Sequence, residues 1–575
     1  MKKLLPYLKE YRRECILSPL FKMLEAILEL LVPLVVAAMI DQGITAGRRG
    51  YLLSHTLILV GLAVVGLGVS VTAQYFAAKA AVGFATNVRS ALFKHLQSYS
   101  YTQIDQMGTS TMITRMTGDI TLAQNGVNMV LRLLLRSPFV VFGAMIMAFT
   151  IDVWSAILFV VVIFGLSAVV FLIMSIHIPM MKLIQQKVDG LTGTVRENLT
   201  GVRVIRAFVK ESEEIGRFGA GNAALLREQE KTGRISGLLN PLTYVIVNLG
   251  VIFLLRTGAL QVSRGILTQG QVIALYNYMS QILVELIKLA NLIVTVNKAL
   301  AGADRIADAL SVKVDPPRSG DGARSADTAL VVFDHVSLTY QGAGDAALSD
   351  LCFEAGEGEC IGIIGPTGCG KSSLVHLLAG FYPASEGSVR VKGRDVRDIP
   401  SKELLDLIGI APQKPVLFAG SIADNLRWGK EDATSEEMEE AIRIAQASDV
   451  VTAKGGPDGM IEQGGRNLSG GQKQRLTVAR ALIGRKPILI LDDTSSALDT
   501  VTDKAMREAI AAMQPRPLTF IVSQRTNAVQ DADKILVMEN GRILAQGRHE
   551  ELLDSCEVYR EIYDSQKKPV KEVAV

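Results

Sequence analysis

The chain has 575 residues, too many for one ordinary domain, so two or more are expected. Its 49% hydrophobic content is high for a soluble protein and calls for long apolar runs, while a formal net charge of +3 leaves no electrostatic footprint for nucleic acid. The five cysteines, Cys15, Cys352, Cys360, Cys369 and Cys556, contain no Cys-x-x-Cys pair; their odd count makes a poor disulfide framework, and they read as reduced cytosolic thiols.

The N-terminus, Met1 to Arg13, is basic and amphipathic and lacks the short apolar region and cleavage site of a signal peptide. Six apolar segments follow, at about 17–44, 55–79, 127–150, 153–177, 240–262 and 268–297, each near or above the roughly 20 residues a bilayer-spanning helix needs. The connections alternate in length: 45–54, 151–152 and 263–267 are short, whereas 80–126 and 178–239 are long and polar. Apolar residues at helical spacing in Val202-Arg-Val-Ile-Arg-Ala-Phe208 predict that the membrane helices continue well past the bilayer, with short helical stretches near Met107–Thr109 and Ser212–Gly216. The N-terminus and the long connections carry eighteen Lys and Arg against three on the short connections, and without the longest connection the balance is still eight to three. The positive-inside rule therefore puts the N-terminus and the long connections in the cytoplasm, with the chain returning there after six crossings.

Several polar side chains fall within the apolar segments: Glu25 and Glu29, Arg132 and Arg136, Asn248 and Arg256, then Asn277, Gln281, Glu285 and Lys288. Such groups are costly in lipid and face the protein interior or a water-filled cavity. Glu25, Glu29, Asn277 and Gln281 are the candidates for lining a cavity that attracts a small amphipathic, cationic substrate. The competing reading is pairing within the membrane, since Glu285 and Lys288 are three residues apart.

The expected organisation is a membrane domain over 1–312, a Pro/Gly/Ser-rich linker over 313–329, an α/β domain over 330–565 and a disordered tail over 566–575. The fold class is thus multi-domain, an all-α six-helix membrane domain followed by an α/β P-loop domain. In that domain Gly365-Pro366-Thr367-Gly368-Cys369-Gly370-Lys371-Ser372 matches G-x-x-x-x-G-K-[ST], after the strand-like Cys360–Ile364 and before the apolar helix opened by Ser373. The glycines let backbone N–H groups turn in around phosphates, Lys371 is placed for the β- and γ-phosphates, and Ser372 for Mg²⁺. About 120 residues on, the apolar strand Ile488–Leu491 ends in Asp492, the carboxylate that organises Mg²⁺ in P-loop ATPases. The two Asn-x-Ser/Thr sequons, Asn198-Leu-Thr200 and Asn467-Leu-Ser469, fall on the expected cytoplasmic side and read as chance.

Between those elements lies Leu468-Ser469-Gly470-Gly471-Gln472, and on it the sequence resembles the ATP-binding cassette (ABC) family, whose signature it matches. The resemblance extends to Tyr340 as the aromatic that stacks on adenine, Gln413 as the loop glutamine that senses Mg²⁺ and the membrane domain, and Asp499 as a dimer-contacting aspartate. With six membrane helices N-terminal to the cassette, the whole chain resembles an ABC exporter half-transporter in the plasma (inner) membrane. That resemblance implies ATP and Mg²⁺ as cofactors, a second half-transporter as obligatory partner, and a signature that faces ATP held by that partner. It also implies that the tips of the long connections press on the cassettes.

Two positions depart from the family pattern. Asp493 stands where the family has the glutamate that polarises the attacking water, and Gln524 stands where it has a histidine at the γ-phosphate. A carboxylate one methylene short is roughly 1.5 Å back, and a glutamine carries no charge. The resemblance then implies a degenerate ATP site in one half of a heterodimeric exporter. A homodimer that turns over slowly on Asp493, and an ATP-binding sensor without transport, are the alternatives.

Overall fold

The computed structural model describes residues 2–314, 318, 325 and 328–567. Most of the expected linker 313–329, and residues 568–575 of the expected tail, lie outside the described residues. The described residues form two compact units, Met1–Gln97 with Thr109–Val312, and Ser98–Gly108 with Lys313 onward.

The first unit is all helix. Six helices among the described residues are long and apolar enough to cross a membrane: Lys3–Ile44, Arg49–Gln97, Thr109–Ile151, Val153–Thr200, Glu211–Ser263 and Gln269–Ser311. Each apolar segment read from the sequence falls on one of them, the sixth starting one residue early at the cap Thr268, and the long connections are helical for most of their length. Local chemistry sets the breaks. Asp152 caps the fourth helix by accepting from the Ser155 amide at 2.8 Å, and Thr268 and Gln271 form a capping box at the start of the sixth. Where the third and sixth helices cross, a Cβ on Gly126 would sit 2.1 Å from the Ala299 Cβ, so only glycine permits that approach. The Tyr278 hydroxyl, fully buried, donates to the Leu30 carbonyl at 2.7 Å and ties the sixth helix to the first.

Two sequence expectations are corrected. Ser212–Gly216 is not a short helix but the first turns of Glu211–Gly237, where Glu211, Glu213 and Glu214 favour a helix N-terminus electrostatically; the short helix nearby is Val202–Ala207. Gln566 and Lys567, assigned to the tail from sequence, belong to the last helix, Glu557–Lys567, which buries Tyr559.

The second unit carries, among the described residues, twelve strands: β1 Val331–Leu338, β2 Leu348–Ala355, β3 Cys360–Ile364, β4 Glu386–Val391, β5 Arg394–Asp395, β6 Ile408–Ala411, β7 Gly420–Ser421, β8 Met460–Ile461, β9 Ile488–Asp492, β10 Leu518–Ser523, β11 Lys534–Glu539 and β12 Arg542–Gly547. An antiparallel sheet runs β2-β1-β4-β5, and the core sheet runs β12-β11-β3-β10-β9-β6. In the core sheet β11, β3, β10, β9 and β6 are parallel, and β9 and β10 are buried along their whole length, as helix-covered parallel strands must be. That order brings the C-terminal ends of β3, β10 and β9 side by side, the edge at which open α/β sheets bind ligands.

Candidate functional site

The phosphate-binding loop leaves β3 at Ile364 and ends on the helix Lys371–Leu378. Two of its glycines are sterically required: a Cβ at Gly365 would meet the Met538 carbonyl at 2.1 Å, and Gly370 has φ 97° with Leu348 at 2.5 Å. The Lys371 ammonium turns into the loop, donating to the Gly365 and Pro366 carbonyls at 2.8 and 2.7 Å, and lies 3.6 Å from the buried Cys369 sulfur. The neighbouring strand ends supply the rest. Ser372 Oγ donates to Asp492 Oδ1 at 3.1 Å. Burial pushes the Asp492 carboxyl above the usual aspartate range and the adjacent Asp493 adds to this, while the Ser372 hydrogen bond and Lys371 pull it back.

Both departures from the family pattern lie at this edge. Asp493 follows β9 in a left-handed conformation, φ 50° and ψ 33°, with its amide on the Val522 carbonyl at 2.9 Å. Its Oδ2 accepts a long contact of 3.4 Å from the Gln413 amide, and Gln524 Oε1 lies 3.4 Å from Thr367 Oγ1. A cavity of about 330 Å³ is lined by Tyr340, Thr367, Gly368, Gly370, Lys371, Ser372, Ser373, Gln413, Asp492, Asp493 and Gln524. Of the expected nucleotide-site residues, Gly365, Pro366 and Cys369 are not part of this lining. The Tyr340 hydroxyl donates to Ser373 Oγ at 2.9 Å, and its ring meets Tyr382 edge-on at 5.0 Å.

The signature segment lies elsewhere on the cassette. Ser469 caps the helix Gly470–Leu482 in a capping box with Gln472, Leu468 is buried, and none of Leu468, Ser469, Gly470, Gly471 or Gln472 lines the cavity of this chain's own phosphate-binding loop. Asp499 is a helix cap, accepting from the Thr502 amide at 2.9 Å. Gln566, which sequence reading had assigned to the tail, accepts from the Thr526 amide and hydroxyl at 2.9 and 3.0 Å and donates to the Gln524 carbonyl at 2.8 Å. It holds the segment after β10 on which Gln524 sits, and no motif or spacing marks it.

The sequence also left unplaced the contact made by Ser98–Gly108. Tyr101 stacks on Phe381 at 4.4 Å, and the Tyr382 hydroxyl donates to Asp105 at 2.6 Å. His376 packs near Phe381 and Tyr382, and burial lowers its pKa, with Asp105 opposing. A histidine whose folded pKa is depressed contributes stability above its unfolded value of about 6.5 and loses it as pH falls below that, because the unfolded chain binds the proton the folded one resists. We expect the unfolding midpoint of the purified chain to fall more steeply from about pH 7 to about pH 5.5 than that of His376→Gln. Equal slopes would remove His376 from the account.

In the membrane unit, Arg136 joins three helices: Nη1 donates to Glu285 at 2.6 Å and Nη2 to Glu29 at 2.6 Å, while Glu285 also accepts from Ser137 and Lys288, each at 2.8 Å. A cavity of about 470 Å³ beside this network is lined by Glu29, Asn277, Gln281, Glu285 and Lys288 with Val32, Pro33, Val36 and Val284. Gln281 Oε1, buried there, has no hydrogen-bond partner among the described residues. Glu25 does not line this cavity; it pairs with Lys22 at 2.5 Å. The pairing of Glu285 with Lys288 across one helical turn matches the intramembrane alternative.

Comparison with known proteins gives matches over nearly the whole chain. Residues 15–286 match the model of the ABC transporter transmembrane region, and residues 348–496 match the ABC transporter model. An uncharacterized ABC transporter ATP-binding protein of Bacillus subtilis, YfiB, is 32% identical over 567 residues, covering 98% of each chain. A probable multidrug resistance ABC transporter ATP-binding/permease protein of the same organism, YheI, is 35% identical over 384 residues, 67% of this chain and 66% of its own. The structure of a bacterial Atm1-family ABC exporter with ATP bound superposes with a TM-score of 0.80 at 22% identity, covering 98% of this chain and 99% of that one.

Proposed function

The chain belongs to the ABC transporter family, with a membrane-spanning region and an ATP-binding domain of a family of ATPases in one polypeptide, and from that premise we propose that it is one half of a heterodimeric exporter. It moves a small amphipathic substrate across the plasma membrane, with the cassette in the cytoplasm. Its own ATP site binds nucleotide and hydrolyses it slowly. The likeness to a relative named for multidrug resistance supports the substrate class.

The residues at the strand edge fit ATP with Mg²⁺. The loop glycines leave room for backbone N–H groups to reach phosphate, Lys371 supplies a cation, and Ser372, Asp492 and Gln413 offer the hard oxygen donors Mg²⁺ takes. When bound there, the ion neutralises charge on the β- and γ-phosphates. Tyr340 offers its ring to adenine. Asp493 orients water from a short stem, and Gln524 hydrogen-bonds without adding charge. Ser469 and Gly471 at their helix N-terminus, away from this chain's own cavity, complete the site on the partner, with Asp499 at the contact. Closure of two cassettes on ATP shifts the membrane helices from one access state to the other because ATP binds the closed state more tightly.

The observation that carries the degenerate-site reading is the pairing of Asp493 and Gln524 at the same cavity, each on a long 3.4 Å contact. A homodimer is the second reading, favoured by the Asp493 carboxylate lining the cavity, where it can act as a base. Purifying the tagged chain from its host in mild detergent and weighing the complex separates them. A second, similar half-transporter at one to one supports the heterodimer, and a dimer of this chain alone sinks it.

A further inference from the structure

The antiparallel sheet carries a cluster that the nucleotide site does not use. β1 and β2 pair through Phe333–Phe353 and Val336–Leu351, so Asp334 and His335 together face the single residue Cys352: a β-bulge. Simple alternation would turn His335 toward the core after exposed Asp334. The bulge instead leaves both exposed and returns Val336 to the interior. Its backbone cost is visible in His335 at φ 49°, and Asp350 on the facing strand is also left-handed at φ 53°.

The outcome is convergence. His335 Nδ1 lies 2.7 Å from Asp350 Oδ1, the His335 amide donates to Cys352 Sγ at 3.3 Å, and the three ligand atoms all lie within 4.8 Å of one another. Among the described residues this is the one such group of metal-ligand side chains. All three are exposed, so an ion can reach them without any opening of the fold. Imidazole, carboxylate and thiolate together suit a borderline-soft ion, whereas Mg²⁺ and Ca²⁺ prefer oxygen alone. Ligand atoms around a tetrahedral Zn²⁺ stand about 3.3–3.8 Å apart, so the His335–Asp350 contact needs to open by about half an ångström. Exposed side chains can rotate that far.

We propose that His335, Asp350 and Cys352 bind one divalent transition-metal ion, with Zn²⁺ the best match to the donor set. The ion takes the Nδ1 lone pair of a neutral imidazole whose proton sits on Nε2, replaces the thiol proton, which leaves to solvent, and leaves a fourth position for water. It fastens β1 to β2, whose connecting segment carries Tyr340 and Ala347, both part of the nucleotide cavity lining.

The test uses the full chain in detergent, stripped with chelator and free of ATP and Mg²⁺, titrated with Co²⁺ as a spectroscopic stand-in for Zn²⁺. The expected result is thiolate-to-cobalt absorption that saturates at one ion per chain and is displaced by Zn²⁺. Cys352→Ser abolishes it; the other four cysteines are buried or half-buried. His335→Asn and Asp350→Asn, chosen because asparagine tolerates the left-handed backbone, weaken binding at least about tenfold. Absence of the absorption at stoichiometric metal, or its survival in Cys352→Ser, overturns the proposal.

Discussion

Asp493→Glu is expected to raise ATP hydrolysis at the site formed by this chain's phosphate-binding loop by about 10²–10⁴-fold, the usual worth of a well-placed general base. Asp493 already lines the cavity, and the loop glutamine Gln413 already reaches it at 3.4 Å. On the degenerate-site proposal it lacks reach, and the added methylene supplies roughly 1.5 Å. The gain carries a cost the sequence did not reveal. The backbone at 493 is left-handed, which aspartate tolerates better than glutamate, so the variant loses about 1 kcal/mol of folding stability. The measurement is ATP turnover in a complex whose partner has had its own base removed, so that only this site is read. Adding Gln524→His in the same background should raise turnover further. A rise of less than about threefold would sink the idea that the short carboxylate limits the site. Substantial turnover by this chain alone, abolished by Asp493→Asn, would establish the aspartate as a working base and favour the homodimer.

The second large effect is expected in the membrane unit. Arg136→Met should destabilise the protein by about 1–3 kcal/mol, the cost of taking one charged hydrogen-bond partner from buried Glu285 and from half-buried Glu29. Arg136 and Glu285 are both buried, and the guanidinium is the group that joins the first, third and sixth helices through Glu29 and Glu285. Lys288 and Ser137 remain on Glu285 in the variant, but Glu29 loses the ion pair the structure gives it. Neutralising the carboxylates as well, in Arg136→Met with Glu29→Gln and Glu285→Gln, should recover much of the loss, because a matched apolar set often equals a buried ion network. Thermal unfolding in detergent reads both variants. A single variant as stable as the parent would show that the network contributes nothing to folding. It would also leave its charges free for substrate in the adjoining cavity.

The sequence by itself determined whatever is written in consecutive residues. Six long apolar runs specify six membrane helices because lipid offers the backbone no hydrogen-bond partners, so each run must satisfy itself as a helix. The turn Gly365–Gly370 between a strand and a helix was legible because its glycines act through local backbone geometry, and the helix start at Ser469 because Ser469 and Gln472 cap that helix. Tertiary structure alone decided what depends on chain segments far apart. The strand order β3-β10-β9 gathers Lys371, Gln524 and Asp493 at one edge, although more than a hundred residues separate the loop from the other two. Pairing of Glu29 and Glu285 with Arg136, and of Glu25 with Lys22, sorted membrane carboxylates that look alike in sequence. Gln566 became part of the site only when its helix packed against the segment after β10, and His335 met Cys352 only through a bulge. In each case the deciding quantity is a side-chain distance across the fold, set by packing and register, which no local pattern in one chain encodes.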